Sequence, residues 1–239
     1  FRRVLFRSWD NLRAAVNTLS PQASIELHSH LVADIRTMIT HAGDLSNLIL
    51  DPDLDSYYIM DATLCALPQL QDRLFSTLVL GRTAIAEGKG SDAQRLRLGI
   101  AAAMMEESDW SLIRASLDTA FNEDAHFHDS SPTLTKNIQP PFAQASEAVE
   151  AFISLTRRLN SGESISSDDY QRTGNNAREK VAALWISAVA ELDVLLNARM
   201  SDFRQRRLLQ IGMTGMVLIL SLSLVLDRKS TRLNSSHSS

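Results

Sequence analysis

The sequence predicts an all-α fold, an elongated antiparallel helical bundle that ends in a transmembrane helix. Three observations carry this. Apolar residues recur at threes and fours along most of the chain, the period of a helix that buries one face. Glycines number nine and prolines six in 239 residues, and no βαβ alternation or glycine-rich phosphate loop is present. Leu208 to Leu226, LLQIGMTGMVLILSLSLVL, has no formal charge. At ~1.5 Å of rise per residue it spans about 28 Å, close to the ~30 Å hydrocarbon core of a bilayer. The competing reading is a buried core helix of a soluble protein. Arg204, Arg206 and Arg207, just before the run, look like a headgroup-level collar and favour the membrane. Thr214, Ser221 and Ser223 fit a span if their hydroxyls bond back to the backbone.

The two ends, residues 1–8 and 227–239, share no periodicity with their neighbours and resemble translated adapter sequence, so fold reasoning sets them aside. The expected organisation is then a helical-bundle domain over 9–207 and a transmembrane helix over 208–226. Of 24 basic and 28 acidic residues, the ends hold six and one, which leaves 18 against 27, a balance of −9. That argues against nucleic acid as a partner, because phosphate neutralisation needs a basic face. Cys65 is the single cysteine, so neither a disulfide framework nor a cysteine metal site is available.

In order along the chain, Trp9 to Leu19 is a short amphipathic piece stopped by Ser20-Pro21. From Gln22, the residues Leu27, Leu31, Ile35, Met38, Ala42, Leu45 and Ile49 form one seam. LDPDLDSYYIMD (Leu50 to Asp61) then spells a corner between helices: Asp51 as N-cap, Pro52 at the first helical position, and Asp53 and Asp55 where a helix N-terminus favours negative charge. The next helix carries Tyr57, Met60, Leu64, Leu67, Leu74, Leu78 and Ile85, with a bend expected at Pro68. Glu87 to Gly90 is a turn, and Ser91 caps a helix through Leu96, Ile100, Ala103, Trp110, Leu117 and Phe121. HFHDSSP, starting at His126, is a loop. Pro140-Pro141 opens a helix with Phe142, Ala145, Val149, Phe152, Thr156 and Leu159. Ser167 caps the last one, which holds Val181, Leu184, Ala188, Leu192, Leu195 and Phe203 and meets no proline before Leu208. Five long helices are an odd number for an antiparallel bundle between two membrane spans, so at least one further helix is expected upstream.

Chemistry-bearing groups are sparse. A calcium loop starting at Asp51 would need Gly at its sixth place and Glu at its twelfth, where Ser56 and Ala62 stand. His126 and His128, beside Glu123, Asp124 and Asp129, are candidates for metal or pH sensitivity, although their spacing matches no zinc motif. Glu107 and Arg114 are candidates for polar groups inside the bundle, with solvated helix edges as the alternative. Arg36, Arg157 and Arg158 could meet an anion. Cys65 is expected to be a small buried hydrophobe. No catalytic, cofactor-binding or metal-ligating set is assigned: a bundle-core metalloenzyme would use two Glu-x-x-His motifs with paired carboxylates, and Glu123 to His126 is the single stretch with that spacing.

The corner SNLILDPDLDSYYIMD (Ser46 to Asp61), followed by Leu67-Pro68, resembles the helical extracytoplasmic sensor region of bacterial transmembrane receptors. Its family-motif residues are Asp51, Pro52, Asp53, Asp55, Tyr57, Tyr58 and Asp61. SISSDDY (Ser164 to Tyr170) and the helix after it are similar to the closing helix of that group. The resemblance implies a bundle outside the bacterial cytoplasmic membrane, a small-molecule or protein ligand, homodimerisation along the closing helix, and a cytoplasmic output module of the chemoreceptor, histidine kinase or diguanylate cyclase type. The chain itself is expected to be no enzyme. The arginine collar, under the positive-inside rule, would instead place the bundle in the cytoplasm; the expectation follows the resemblance. A membrane-anchored structural or interaction protein is the alternative.

Overall fold

A computed structural model describes residues 2–50, 53–88, 90–124 and 131–236, and among these the chain is helical apart from short connections, with no strand. The fold class is all-α. Six helices follow one another: α1 (Arg2–Ala15), α2 (Pro21–Leu45), α3 (54–86), α4 (92–124), α5 (Leu134–Asn160) and α6 (Ser167–Ser236). Helices α3 and α4 each contain a π-helical turn, Ala62–Ala66 in α3 and Met105–Trp110 in α4. The chain forms two compact units, Phe1–Val194 and Leu195–Ser239.

Within the first unit, α3 to α6 make an antiparallel four-helix core. Leu54–Asp61 packs along Ser111–Asp124, Leu67–Ala86 packs on Asp92–Met104, and α5 packs on Asp92–Met104 from another side. Helix α6 closes the ring. Near its start the Tyr170 ring lies 5.2 Å from that of Phe152 on α5. Further along, Glu191 accepts hydrogen bonds from Thr133 Oγ1 (2.8 Å) and Asn137 Nδ2 (2.5 Å) at the opposite end of α5. Ile59, Leu67, Leu70 and Leu74 of α3, Ile113 and Leu117 of α4, Val149 and Phe152 of α5, and Val181 and Leu184 of α6 fill the centre. Burying each such side chain contributes roughly 1.5–3 kcal/mol.

Two glycines set how closely α6 approaches. A Cβ at Gly81 would lie 2.3 Å from the Tyr170 ring, and one at Gly174 would lie 2.8 Å from Leu78 and 2.9 Å from Phe152. Tyr170 is wholly buried, its hydroxyl 3.1 Å from Thr156 Oγ1 and 3.4 Å from the Thr77 carbonyl that it donates to. Burial pushes its phenol up to about 12, partly opposed by the Thr156 hydrogen bond.

Helix α2 lies antiparallel to α1, where Ser8 Oγ donates to Asp34 Oδ2 at 2.6 Å, and packs on α3. Only Leu31 and Gly43 of α2 are buried. It starts as its sequence dictates: Ser20 Oγ accepts from Ala23 N–H at 3.2 Å and Pro21 takes the first turn. It stops because Asn47 adopts φ 56°, the left-handed conformation in which asparagine is tolerated. Ser91 forms the capping box with Gln94, bonding it at 2.6 Å and 3.3 Å.

Several boundaries differ from expectation. Asp53 rather than Asp51 occupies the N-cap position of α3, which starts at Leu54, and Asp55 is a buried first-turn residue. Asp51 and Pro52 lie outside the described residues. Pro68 follows a π-turn; the proline ring would press on the carbonyl four residues back, and the extra residue of a π-turn relieves that crowding. Pro140 and Pro141 fall inside α5, which begins at Leu134, because the full burial of Leu134 and Ile138 offsets the ~3 kcal/mol cost of a helical proline. Asp169 N–H donates to Ser166 Oγ at 3.0 Å, so Ser166 caps α6 and Ser167 is already helical. Seven seam positions are exposed: Ile35, Ala42, Leu45 (71 %) and Ile49 of the α2 seam, Leu96 (66 %) and Ile100 of the α4 seam, and Phe203 of α6. The buried residues of early α4 are instead Leu98, Ala102 and Met105. The set-aside residues 2–8 and 227–236 are helical, within α1 and α6.

The second unit is the C-terminal part of α6. No residue from Leu208 to Ser223 is buried in it, and the consecutive Leu218, Ile219 and Leu220 are each more than half exposed, so apolar surface faces every side. Thr214 and Ser221 donate back to the carbonyls of Gln210 (2.8 Å) and Val217 (2.7 Å). This helix is long and apolar enough to cross a membrane.

Candidate ligand-binding site

The expected polar positions separate once the bundle is built. His126, His128 and Asp129 lie outside the described residues. Of their expected neighbours, Asp124 is buried and accepts from Ser131 N–H at 2.8 Å. Among the described residues no group of three histidine, cysteine or carboxylate side chains could hold a metal ion. Glu107 and Arg114 are solvent-facing and do not enter the bundle. Arg114 forms a surface ion pair with Glu150 at 3.2 Å, a type that contributes about 0–1 kcal/mol. Their helix carries both residues on its outer edge, and the polar groups it buries are Asp109, Ser116 and Asp124. Arg157 pairs with Glu106 and Arg158 with Glu163, both at the surface.

Tyr57 and Tyr58 are half-buried, their rings edge to face at 5.4 Å. Burial raises the Asp61 carboxyl above its ordinary range, against a hydrogen bond from Ser116 that lowers it. The corner therefore works as a helix start that buries Asp55 and partly desolvates Asp61.

Space for a ligand lies elsewhere, on both sides of α2. One cavity of about 590 Å³ is walled by α2 and by both π-turns, through Leu64, Cys65 and Ala66 on one and Ser108 and Asp109 on the other. Its charges are internally matched: Arg36 donates to Asp72 Oδ2 at 2.8 Å and to Gln69, and Arg73 is bonded to the buried Asp109. Cys65 is exposed at this cavity, not buried as expected, because the π-turn rotates it off the core face. Although solvent reaches it, burial of its inner side pushes the thiol up, helped by Asp61 and Asp44. It stays protonated and is a poor nucleophile.

The second cavity, about 320 Å³, lies between α2, α3 and α6. Val32, Ile35 and Ile39 of α2, Pro68 and Phe75 of α3 and Trp185 of α6 make it predominantly apolar. Arg36 stands between the two cavities and lines both. Arg178 of α6 lines the second one with its guanidinium 5.1 Å from the centre of the Phe75 ring. Its Nε is buried without an acceptor. The Gln71 amide fixes the backbone there, donating to the Arg178 carbonyl at 2.8 Å. An apolar cleft with few polar groups is the usual form of a small-molecule site.

Sequence reasoning named Arg36 as one of three arginines that could meet an anion, without assigning it to a site, and missed Arg178, Phe75 and Trp185. A signal for Arg178 was present: the residues three and four away on its helix are Gly174, Asn175, Val181 and Ala182, and none is a carboxylate. No family model matches the chain, and no curated protein or solved structure matches it.

Proposed function

We propose that the chain is the sensory input region of a bacterial membrane receptor. The bundle lies outside the cytoplasmic membrane, residues 208–226 cross it, and α6 passes a ligand-dependent shift to a cytoplasmic output module. Chemotaxis or two-component signalling is the favoured output, and a diguanylate cyclase the alternative. The carrying observation is that α6 contributes Tyr170 to Leu192 to the bundle core and also contains the exposed apolar run. A ligand that favours one packing of the bundle biases the pose of that helix by no more than its differential affinity. Shifts of ~1–2 Å are the usual amplitude for packed helices. Ile186 (72 % exposed) and Val189 (48 % exposed) on α6 supply apolar surface for the dimer that this reading includes.

Two measurements test the reading. In spheroplasts a membrane-impermeant maleimide should modify Glu147→Cys, at a solvent-facing position of α5 in a chain that also carries Cys65→Ser, without permeabilisation. Modification that requires permeabilisation puts the bundle in the cytoplasm and overturns the topology. With an output module fused after Leu226, Gly-Gly inserted at Arg199 should uncouple output from input. Unaltered signalling would rule out a continuous-helix relay.

A further inference from the structure

We infer that the cavity between α2, α3 and α6 binds a small monocarboxylate with an apolar body, its carboxylate held by Arg178. The argument begins with an orphan. Arginine stays charged at any physiological pH, and a buried guanidinium nitrogen without an acceptor is costly. Arg178 Nε is in that position, and no ion pair or side-chain hydrogen bond to its guanidinium is formed among the described residues. The other basic side chains lining this cavity have partners: Arg36 has Asp72 and Gln69, and the His28 ring lies 2.7 Å from the Ser24 carbonyl. Asp72, the one carboxylate lining this cavity, is committed to Arg36 at 2.8 Å, so the local balance leaves one positive charge for a ligand anion.

The rest of the wall selects the body of the ligand. Phe75 and Trp185 offer aromatic faces, and Val32, Ile35 and Ile39 offer aliphatic ones. At about 320 Å³ the volume lies at the lower end of the ~300–1,000 Å³ range of ligand sites, which suits one ring or a short alkyl chain. A carboxylate takes two parallel bonds from a guanidinium, geometry that a halide or an amine lacks. Because α2 supplies three apolar wall residues and few of its other side chains are buried, occupancy joins α2 to α3 and α6 more firmly.

This assignment deepens the sensory reading by naming its ligand class, and its test is separate. Binding without relay defeats the sensory reading alone, whereas relay without this binding defeats the assignment alone. The full chain in mild detergent is titrated calorimetrically with phenylacetate and hexanoate, with phenethylamine and acetate as controls. Both apolar acids should bind saturably, and the amine and acetate at least tenfold more weakly. Arg178→Met should weaken phenylacetate at least tenfold with the far-ultraviolet spectrum unchanged. Ile35→Trp, which narrows the cavity without touching the guanidinium, should abolish binding and keeps the test decisive if Arg178→Met does not fold. Equal binding by Arg178→Met, equal binding of phenethylamine, or no saturable binding of either acid would overturn the assignment.

Discussion

Helix α2 and the four-helix core carry the same apolar periodicity and reach different burial. Of the seam Leu27, Leu31, Ile35, Met38, Ala42, Leu45 and Ile49, only Leu31 is buried, whereas Leu67, Leu70, Leu74, Leu117, Phe152 and Leu184 of the core all are. A period of three and four states which face of a helix turns inward; the depth of what it meets depends on neighbours far along the chain. Hydrophobic stabilisation scales with area removed from water, so α2 is held by much less of it. Polar links such as Arg36 to Asp72 and cavities on both sides stand where the core has interlocked side chains. A loosely buried helix next to a rigid core is the kind of element that opens and closes around ligands.

The sharpest break of that contrast uses two glycines. Gly81→Ala would place a methyl 2.3 Å from the fixed Tyr170 ring and should cost about 2 kcal/mol in denaturant unfolding, after the ~0.5–1 kcal/mol gained from alanine in a helix. Gly43→Ala on α2 meets only the movable Leu64 Cδ1 at 2.7 Å and should be neutral within ~0.5 kcal/mol. Equal losses at both would mean that α2 is packed as tightly as the core.

A smaller effect comes from pH. The folded pKa of Tyr170, about 12, exceeds the ~10 of an unfolded tyrosine. The native state therefore holds that proton longer: stability is unaffected below pH ~10 and falls by up to about 2–3 kcal/mol as pH rises through about 12, where the buried phenol must ionise. Tyr170→Phe should cost about 1 kcal/mol at neutral pH through the lost Thr156 bond and flatten the fall in Tm between pH ~10 and ~12. An unchanged alkaline slope would show that the ring is not desolvated.

Much of the fold was legible because capping chemistry is local. Ser20-Pro21 and the Ser91 capping box sit where their side chains place them, and the Ala145, Val149, Phe152, Thr156 and Leu159 seam is buried as its spacing requires. The π-turns were not legible. Each inserts one residue into an otherwise helical count, and the packing of α3 against α4 decides where that residue goes. Pro140 and Pro141 misled for the opposite reason: a local preference for a helix start lost to the burial of Leu134 and Ile138. Of the candidate site, Arg36 stood in the sequence only as one of three unassigned arginines, and Arg178 needed the fold to reveal that Phe75 and Trp185 line its cavity.

Hydrogen exchange along the full chain, with and without phenylacetate, tests the central claim most directly. The amides of α2 should exchange well before those of Leu67–Ala86 in the free protein, and phenylacetate should slow α2 while leaving α5 unchanged. Protection of α2 equal to that of Leu67–Ala86 without ligand, or no slowing of α2 with it, would contradict the account.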